Sequence, residues 1–259
     1  MNWKNCSAPS NIRLCGIHII TKSTPITNLA IPYEFINEIQ SLYPMPGAEL
    51  DRLLERGWRF LGNEAVRHNM ATWNSEICGT VPARIRLSDF YLSASQKKLL
   101  RKNACLRVES GPIVVDGYKT GLFDKHKARI RERTPDSLFS FLNVYPEVVP
   151  GEGREFSVFL GDELIACSFI HLGDKAVSAT YCIFNPDYGR FSPGIYTMLL
   201  EILYSIERGK EFYYPGYVYN VQSQFDYKMN FHGTEQMNWS SGAWTARERV
   251  PPGKYQAQG

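Results

Sequence analysis

The sequence predicts an α+β fold, a mixed β-sheet flanked by helices with a smaller N-terminal region ahead of it. Three observations predict it. Residues 155–160, 163–171 and 175–184 are strand-like runs separated by Gly161-Asp162 and Gly173-Asp174, which are hairpin turn signals. Ser192-Pro193 then opens a helix, with a capping residue and proline at the first helical position. In that helix Ile195, Leu199, Ile202 and Ile206 recur at helical spacing until Gly209 ends it. A last strand, 211–217, follows directly. Hairpins first and a helical crossover after imply antiparallel and parallel pairings in one sheet.

The earlier elements follow from local signals. Residues 48–56 form a short amphipathic helix stopped by Gly57. Residues 81–90 alternate β-branched and apolar side chains with Arg84 and Arg86, as a strand does. Ser93 or Ser95 caps the next helix, on which Lys97, Lys98, Arg101 and Lys102 share one face. Residues 120–133 read as a second basic helix ended by Thr134-Pro135. These readings divide the chain into an N-terminal region, 1–110, a core, 111–249, and a tail, 250–259, whose composition reads as disordered.

Composition narrows the function. Hydrophobic residues at 44% and charged residues at 21% exclude a disordered chain. No run reaches the roughly 18 apolar residues of a membrane helix, and no leader is evident, so a cytoplasmic location is expected. The six cysteines, Cys6, Cys15, Cys78, Cys105, Cys167 and Cys182, include no C-x-x-C pair. The five histidines, His18, His68, His126, His171 and His232, include no H-E-x-x-H. Free thiols and no metal are expected. Charge is unevenly spread: the net +3 of the chain conceals an excess of seven positive charges between Lys97 and Arg133. Such a patch attracts a polyanion and supplies phosphate contacts.

The order strand, strand, strand, helix, strand is also that of the acyltransferase core called the GNAT fold. Short motifs refine this. Residues 50–59 (Leu-Asp-Arg-Leu-Leu-Glu-Arg-Gly-Trp-Arg), Val81-Pro82-Ala83-Arg84-Ile85-Arg86 with Asp89-Phe90, and Ser93-Ala94-Ser95-Gln96-Lys97-Lys98 with Arg101-Lys102-Asn103 stand in that order. Asn185-Pro186-Asp187-Tyr188, Gly194-Ile195-Tyr196, Tyr213-Tyr214-Pro215-Gly216-Tyr217 and Tyr227-Lys228-Met229-Asn230-Phe231 follow. Together they resemble the arginyl-tRNA–protein transferase family, especially its shorter bacterial members. The likeness departs from the family where cluster-binding cysteines are usual: between Val66 and Val81 only Cys78 is present, and Leu42 precedes Pro46-Gly47 where the family has a cysteine. Pro193, Pro215 and Gln224 also replace more usual residues.

The resemblance implies transfer of an amino acid, arginine or leucine, from aminoacyl-tRNA to an α-amine, with no cofactor beyond the tRNA co-substrate. The acceptor is a peptide, a protein N-terminus or, in a biosynthetic variation, a small amine. For catalysis the candidates are Tyr181, Tyr227 and Lys228: a tyrosine hydroxyl can donate to the oxyanion or shuttle a proton, and Lys228 can hold a phosphate or an acidic acceptor side chain. For substrate binding they are Ser178, Tyr217, Asp226 and Phe231. Asp226 and Glu235 are candidates for a guanidinium if the donor is arginine. Strand alternation places Ser178 with Thr180 and opposite Tyr181. Lys97, Lys98, Arg101 and Lys102 are candidates for the tRNA backbone. Two other classes are open: an acyl-CoA N-acyltransferase, disfavoured because Pro193 removes an amide where CoA phosphates are cradled, and a tRNA-binding relative without catalysis.

Overall fold

The computed structural model describes residues 34–130 and 134–246. Cys6, Cys15, His18, Arg131, Arg133 and the tail from Val250 lie outside the described residues. In chain order the elements are β1 (Asn37–Ser41), α1 (Gly47–Glu55), β2 (Arg59–Leu61), β3 (Glu64–His68), β4 (Met70–Trp73), β5 (Glu76–Arg86), α2 (Ala94–Lys102) and β6 (Arg107–Pro112). Then come α3 (Gly117–Lys127), β7 (Glu152–Leu160), β8 (Glu163–Leu172), β9 (Ala176–Phe184), α4 (Pro193–Glu207), β10 (Phe212–Tyr219), β11 (Thr234–Met237) and β12 (Trp244–Ala246).

The large sheet runs β12-β11-β5-β10-β9-β8-β7-β6, with β4 added on β5, and takes strands from either side of residue 110. Its pairings are antiparallel except β9–β10, which is parallel because α4 carries the chain across between them. The expected meander, helix and parallel strand are therefore present, and the architecture is a GNAT-like α+β fold. A small sheet, β1-β3-β2, stands beside α1 in sequence.

Alternate strand residues send cores to both faces. Ile170, Leu172, Val177 and Tyr213 pack with Met198, Leu199 and Ile202 of α4 and with Leu99 and Leu100 of α2. On the other face Cys167, Phe169 and Ile183 pack with Leu122 and Phe123 of α3, and Tyr214 and Ala176 with Leu50, Leu53 and Leu54 of α1. Each fully buried leucine or isoleucine contributes roughly 1.5–3 kcal/mol, so the two layers hold the sheet from both sides.

Several local expectations are corrected. The strand at 81–90 begins five residues earlier and ends at Arg86, where a 3-10 turn at Leu87–Asp89 takes over. The second basic helix starts at Gly117, capped by the Asp116 carboxylate on the Lys119 amide, and ends at Lys127. Ser93 rather than Ser95 caps α2, in a reciprocal box with Gln96. Ser192 precedes α4 but makes no capping bond; it is left-handed at φ 47°. Ile206, at the end of the predicted stripe, is 40% exposed, whereas Glu201 on the inner face is buried.

The expected alternation along β9 also fails, for a definite reason. The β8–β9 register passes from Ala179 opposite Ile170 to Tyr181 opposite Phe169, so Thr180 is an extra residue, a β-bulge. Val177 and Ala179 face α4, but beyond the bulge Tyr181 and Ile183 face α3. Ser178 and Tyr181 consequently lie on the same side of the sheet.

Candidate active site

The site begins where the parallel pair comes apart. β9 and β10 are paired only from Phe212 opposite Ala176 to Tyr214 opposite Ser178. Pro215 has no amide hydrogen to continue the ladder, and Gly216 turns left-handed at φ 92°. Beyond this point β10 stays with β5 and β9 stays with β8. The two strands splay at their carboxyl ends, the position at which open mixed sheets bind ligands.

Cations converge on the splay. Arg59, two residues after the Gly57 stop of α1, lays its guanidinium on Gly216, where any Cβ would collide with it, and 5.7 Å from the Tyr217 ring centre. Lys228 comes from the 3-10 turn Asp226–Met229 after β10 and is only 9% exposed. Its Nζ is 3.4 Å from the Tyr217 carbonyl oxygen and 4.9 Å from the Phe225 ring centre. Burial pushes the Lys228 ammonium well below the ordinary lysine value, and Arg59 beside it adds repulsion. Arg129, exposed after α3, lies over Phe184 and within the electrostatic reach of Tyr181, Cys182 and Tyr227. Among the described residues no carboxylate forms an ion pair with any of these three.

The tyrosines are proton holders. Tyr181 stacks on Phe141 at 3.6 Å, and burial raises its hydroxyl to about 12. Burial raises Tyr227 further, with Cys182 and Glu201 adding negative field and Arg129 and Arg59 opposing it. Both therefore stay protonated at neutral pH, so each hydroxyl carries a proton it can donate. Cys182 accepts a bond from the Thr197 hydroxyl at 3.2 Å, and burial pushes its thiol up to about 12. A thiol raised in this way stays protonated at neutral pH. Behind Tyr227, Glu201 of α4 accepts a bond from the Tyr213 hydroxyl, and burial raises its carboxyl to about 7.

A groove of ≈ 320 Å³ lies at the same end of the sheet, on the α4 face, between α2 and the start of α4. It is lined by Ser95, Gln96, Lys98, Leu99, Lys102, Ser192 and Ile195. Lys102 also donates to the Arg190 carbonyl at 2.5 Å, which ties α2 to the turn before α4. Lys97 and Arg101 are exposed on α2 outside the groove lining. On the opposite, α1 face, Arg59, Ser178, Gly216 and Tyr217 line a recess of ≈ 10 Å³, room for one water-sized group.

Of the residues singled out from sequence, Ser178 and Tyr217 line the recess with Arg59 and Lys228 contacts the Tyr217 carbonyl, whereas Tyr181 packs toward α3 and Tyr227 toward α4. Others are committed elsewhere. The Tyr217 hydroxyl donates to the Gly57 carbonyl at 2.5 Å, so its ring rather than its hydroxyl is available. Asp226 accepts from the Ser223 amide and hydroxyl. Glu235 is held by both Arg84, at 2.6 Å, and Arg86, at 2.9 Å, with Arg84 sandwiched between Phe212 and Trp244. Phe231 is buried in the core with Ile85, Leu87 and Leu199. Arg59, Arg129 and Glu201 were not singled out. The signal for Arg59 was its place just past a helix-ending glycine, and for Glu201 an acid inside an apolar helical stripe.

A mixed sheet splayed at a parallel pair, with buried tyrosines nearby and a groove carrying Lys98 and Lys102 beside α2, is the arrangement this chain offers a substrate. Residues 118–238 match the family described as arginine-tRNA-protein transferase, C terminus. Among curated relatives, an aspartate/glutamate leucyltransferase of Campylobacter jejuni (serotype O:6) is 24% identical over 190 residues, covering 71% of this chain and 78% of that protein. One from Pseudomonas entomophila is 26% identical over 197 residues, covering 71% and 77%. Over these stretches the chain is similar to aminoacyl-tRNA–protein transferases. Solved structures sharing parts of the fold include FemX, at TM-score 0.41 and 13% identity over 68% of this chain and 61% of that one. Another is the C-terminal domain of a lysylphosphatidylglycerol synthetase from Agrobacterium fabrum, at TM-score 0.43 and 17% identity over 53% and 46%. No helix among the described residues is long and apolar enough to cross a membrane.

Proposed function

We propose that this aminoacyltransferase moves an apolar aminoacyl group, leucine, from aminoacyl-tRNA to the α-amine of a peptide or protein. The observation that carries the donor choice is the charge at the splay. Arg59, Arg129 and Lys228 have no carboxylate partner among the described residues, and the two acids considered for a guanidinium, Asp226 and Glu235, are already engaged. An arginyl donor would bring a further cation into this field with nothing to receive it; a leucyl side chain brings none. The curated relatives named above are leucyltransferases.

In this reading the tRNA backbone follows α2, with Lys98 and Lys102 at the groove and Lys97 and Arg101 outside it, and the ester enters the splay from the α4 face. The α-amine has an ordinary pKa near 7.7–8.0, so a fraction on the order of a tenth is free to attack at pH 7. Its nitrogen forms a bond to the ester carbonyl carbon, the bond from that carbon to the ribose oxygen breaks, and the amine proton ends on the departing ribose hydroxyl. Tyr181 and Tyr227, both protonated, donate to the oxyanion as it forms. Holding two substrates in line supplies most of the remaining acceleration.

The test uses purified protein with radiolabelled leucyl-tRNA or arginyl-tRNA and a pool of peptides with every N-terminal residue. Leucine label in peptide, and no arginine label, is expected. Arginine transfer, or label from neither tRNA, overturns the reading.

A further inference from the structure

His126 and Arg129 touch without satisfying each other. His126 belongs to α3 and is only 1% exposed, with its ring edge-on to Phe184 at 4.7 Å and to Tyr181 at 5.7 Å. The Phe184 amide donates to its Nδ1 at 3.0 Å, so that nitrogen carries no hydrogen. Burial, with repulsion from Arg129, lowers the ring to about 4, so it is neutral and its one hydrogen sits on Nε2. The atom 3.1 Å from Nε2 is Nη2 of Arg129. A guanidinium offers hydrogens and accepts none, so two donors face each other there. Among the described residues no acceptor serves either group, and Arg129 has no ion pair. A buried N–H left in that state is costly, and an acceptor placed between the two donors relieves it.

The surroundings narrow what that acceptor is. It must present lone pairs to two donors, and beside a guanidinium it gains most by carrying negative charge. Tyr181, kept protonated by burial, lies on the same face of the sheet and within the field of Arg129. Phe184 under the guanidinium, at 4.7 Å, and Phe141 stacked on Tyr181 supply apolar walls and no acceptor. Arg129 is exposed, so the pair is reached from solvent, while His126 behind it is fixed by the Phe184 amide. Phe184 is the last residue of β9, past the point at which β9 leaves β10. The carboxyl end of a parallel strand is where mixed sheets take ligands. The lysine groove lies on the other face, against α4, so this is a separate place.

We propose that the Nε2–H of His126 and the guanidinium of Arg129 bind a small free oxyanion, of phosphate or carboxylate chemistry, with one of its oxygens taken between them. The site goes beyond the transfer reaction and does not depend on it.

The experiment uses the full chain, nitrogen-labelled at histidine, in an amine buffer free of phosphate and carboxylates. Long-range proton–nitrogen spectra read which ring nitrogen carries the hydrogen. Inorganic phosphate and acetate are then titrated in separately at neutral pH and constant ionic strength. The His126 signal, identified by its absence in His126→Gln, is expected to show its hydrogen on Nε2. It should also move saturably, with a Kd on the order of 1–10 mM for the better anion. The tighter of the two names the class, phosphate or carboxylate. Arg129→Gln should weaken that binding by at least about tenfold, and Arg129→Lys, which keeps the charge but not the fork, by less. Calorimetry of the same titrations on wild type and Arg129→Gln, a change at an exposed position, reads binding without the spectral assignment. A hydrogen on Nδ1 of His126 overturns the proposal. So does binding that Arg129→Gln leaves unchanged. Absence of saturable binding by either anion overturns it too; if Glu132→Gln then moves the His126 signal, the acceptor is a carboxylate of the chain itself.

Discussion

Glu201 is where the fold opposes ionisation most plainly. It is a carboxylic acid 3% exposed, inside the apolar stripe of α4, bonded by Tyr213 with Ser168 alongside; Cys182 and Tyr227 lie within its field. Its carboxyl is raised to about 7 from 4.5. Between those values the folded chain keeps a proton that the unfolded chain has released. Its contribution to stability is thus fully present below about pH 4 and is lost as pH rises through 7, a change of roughly 3 kcal/mol. Glu201→Gln keeps an acceptor for Tyr213 but cannot ionise. Urea denaturation of both proteins should show the variant gaining on wild type by on the order of 2 kcal/mol between pH 5 and pH 8. A difference independent of pH would rule this account out. The candidates that stood out in the sequence were those in recognisable clusters, Tyr227 and Lys228 above all. Arg59 did not stand out because its setting depends on Gly216, 157 positions further along the chain and brought beneath its guanidinium only by tertiary folding.

At the scale of elements, the meander, α4 and β10 were legible because each buries a regular pattern and ends at glycine, proline or a polar turn. The three strands of the small sheet were not: all five residues of β1 are exposed, so no apolar alternation marks it. The bulge at Thr180 was hidden too, because a bulge is a property of the pairing and not of one strand's composition. Helix α2 was legible in both its cap and its charge, and it carries its own prediction. Lys98→Glu with Arg101→Glu should weaken leucyl-tRNA binding by at least tenfold at moderate salt. The slope of log affinity against log salt should become shallower by about 0.9 for each phosphate that is no longer neutralised, measured by filter binding over a salt series. Unchanged affinity would remove α2 from the tRNA path. Arg84 shows the reverse lesson. Its alternation is that of an ordinary strand residue, yet it is buried in a cation–aromatic sandwich and takes up Glu235, which is why that acid is unavailable for substrate.

For the whole molecule, the sequence order identified the architecture, while the site emerged only from how strands 30 or more residues apart come together and then part. That parting follows only three paired residues, and the groove beside α2 and the recess beside α1 lie on opposite faces of the sheet. The consequence is kinetic. In the reaction proposed above, a donor held at the groove leaves the recess across the sheet free for the acceptor, and the burial that raises the Cys182 thiol to about 12 opposes its acting as an acyl carrier. Both substrates are therefore expected to be present together before any bond changes. Initial-rate plots at several fixed acceptor concentrations should intersect, where a covalent relay would give parallel lines. An unreactive acceptor peptide should slow turnover without weakening tRNA capture.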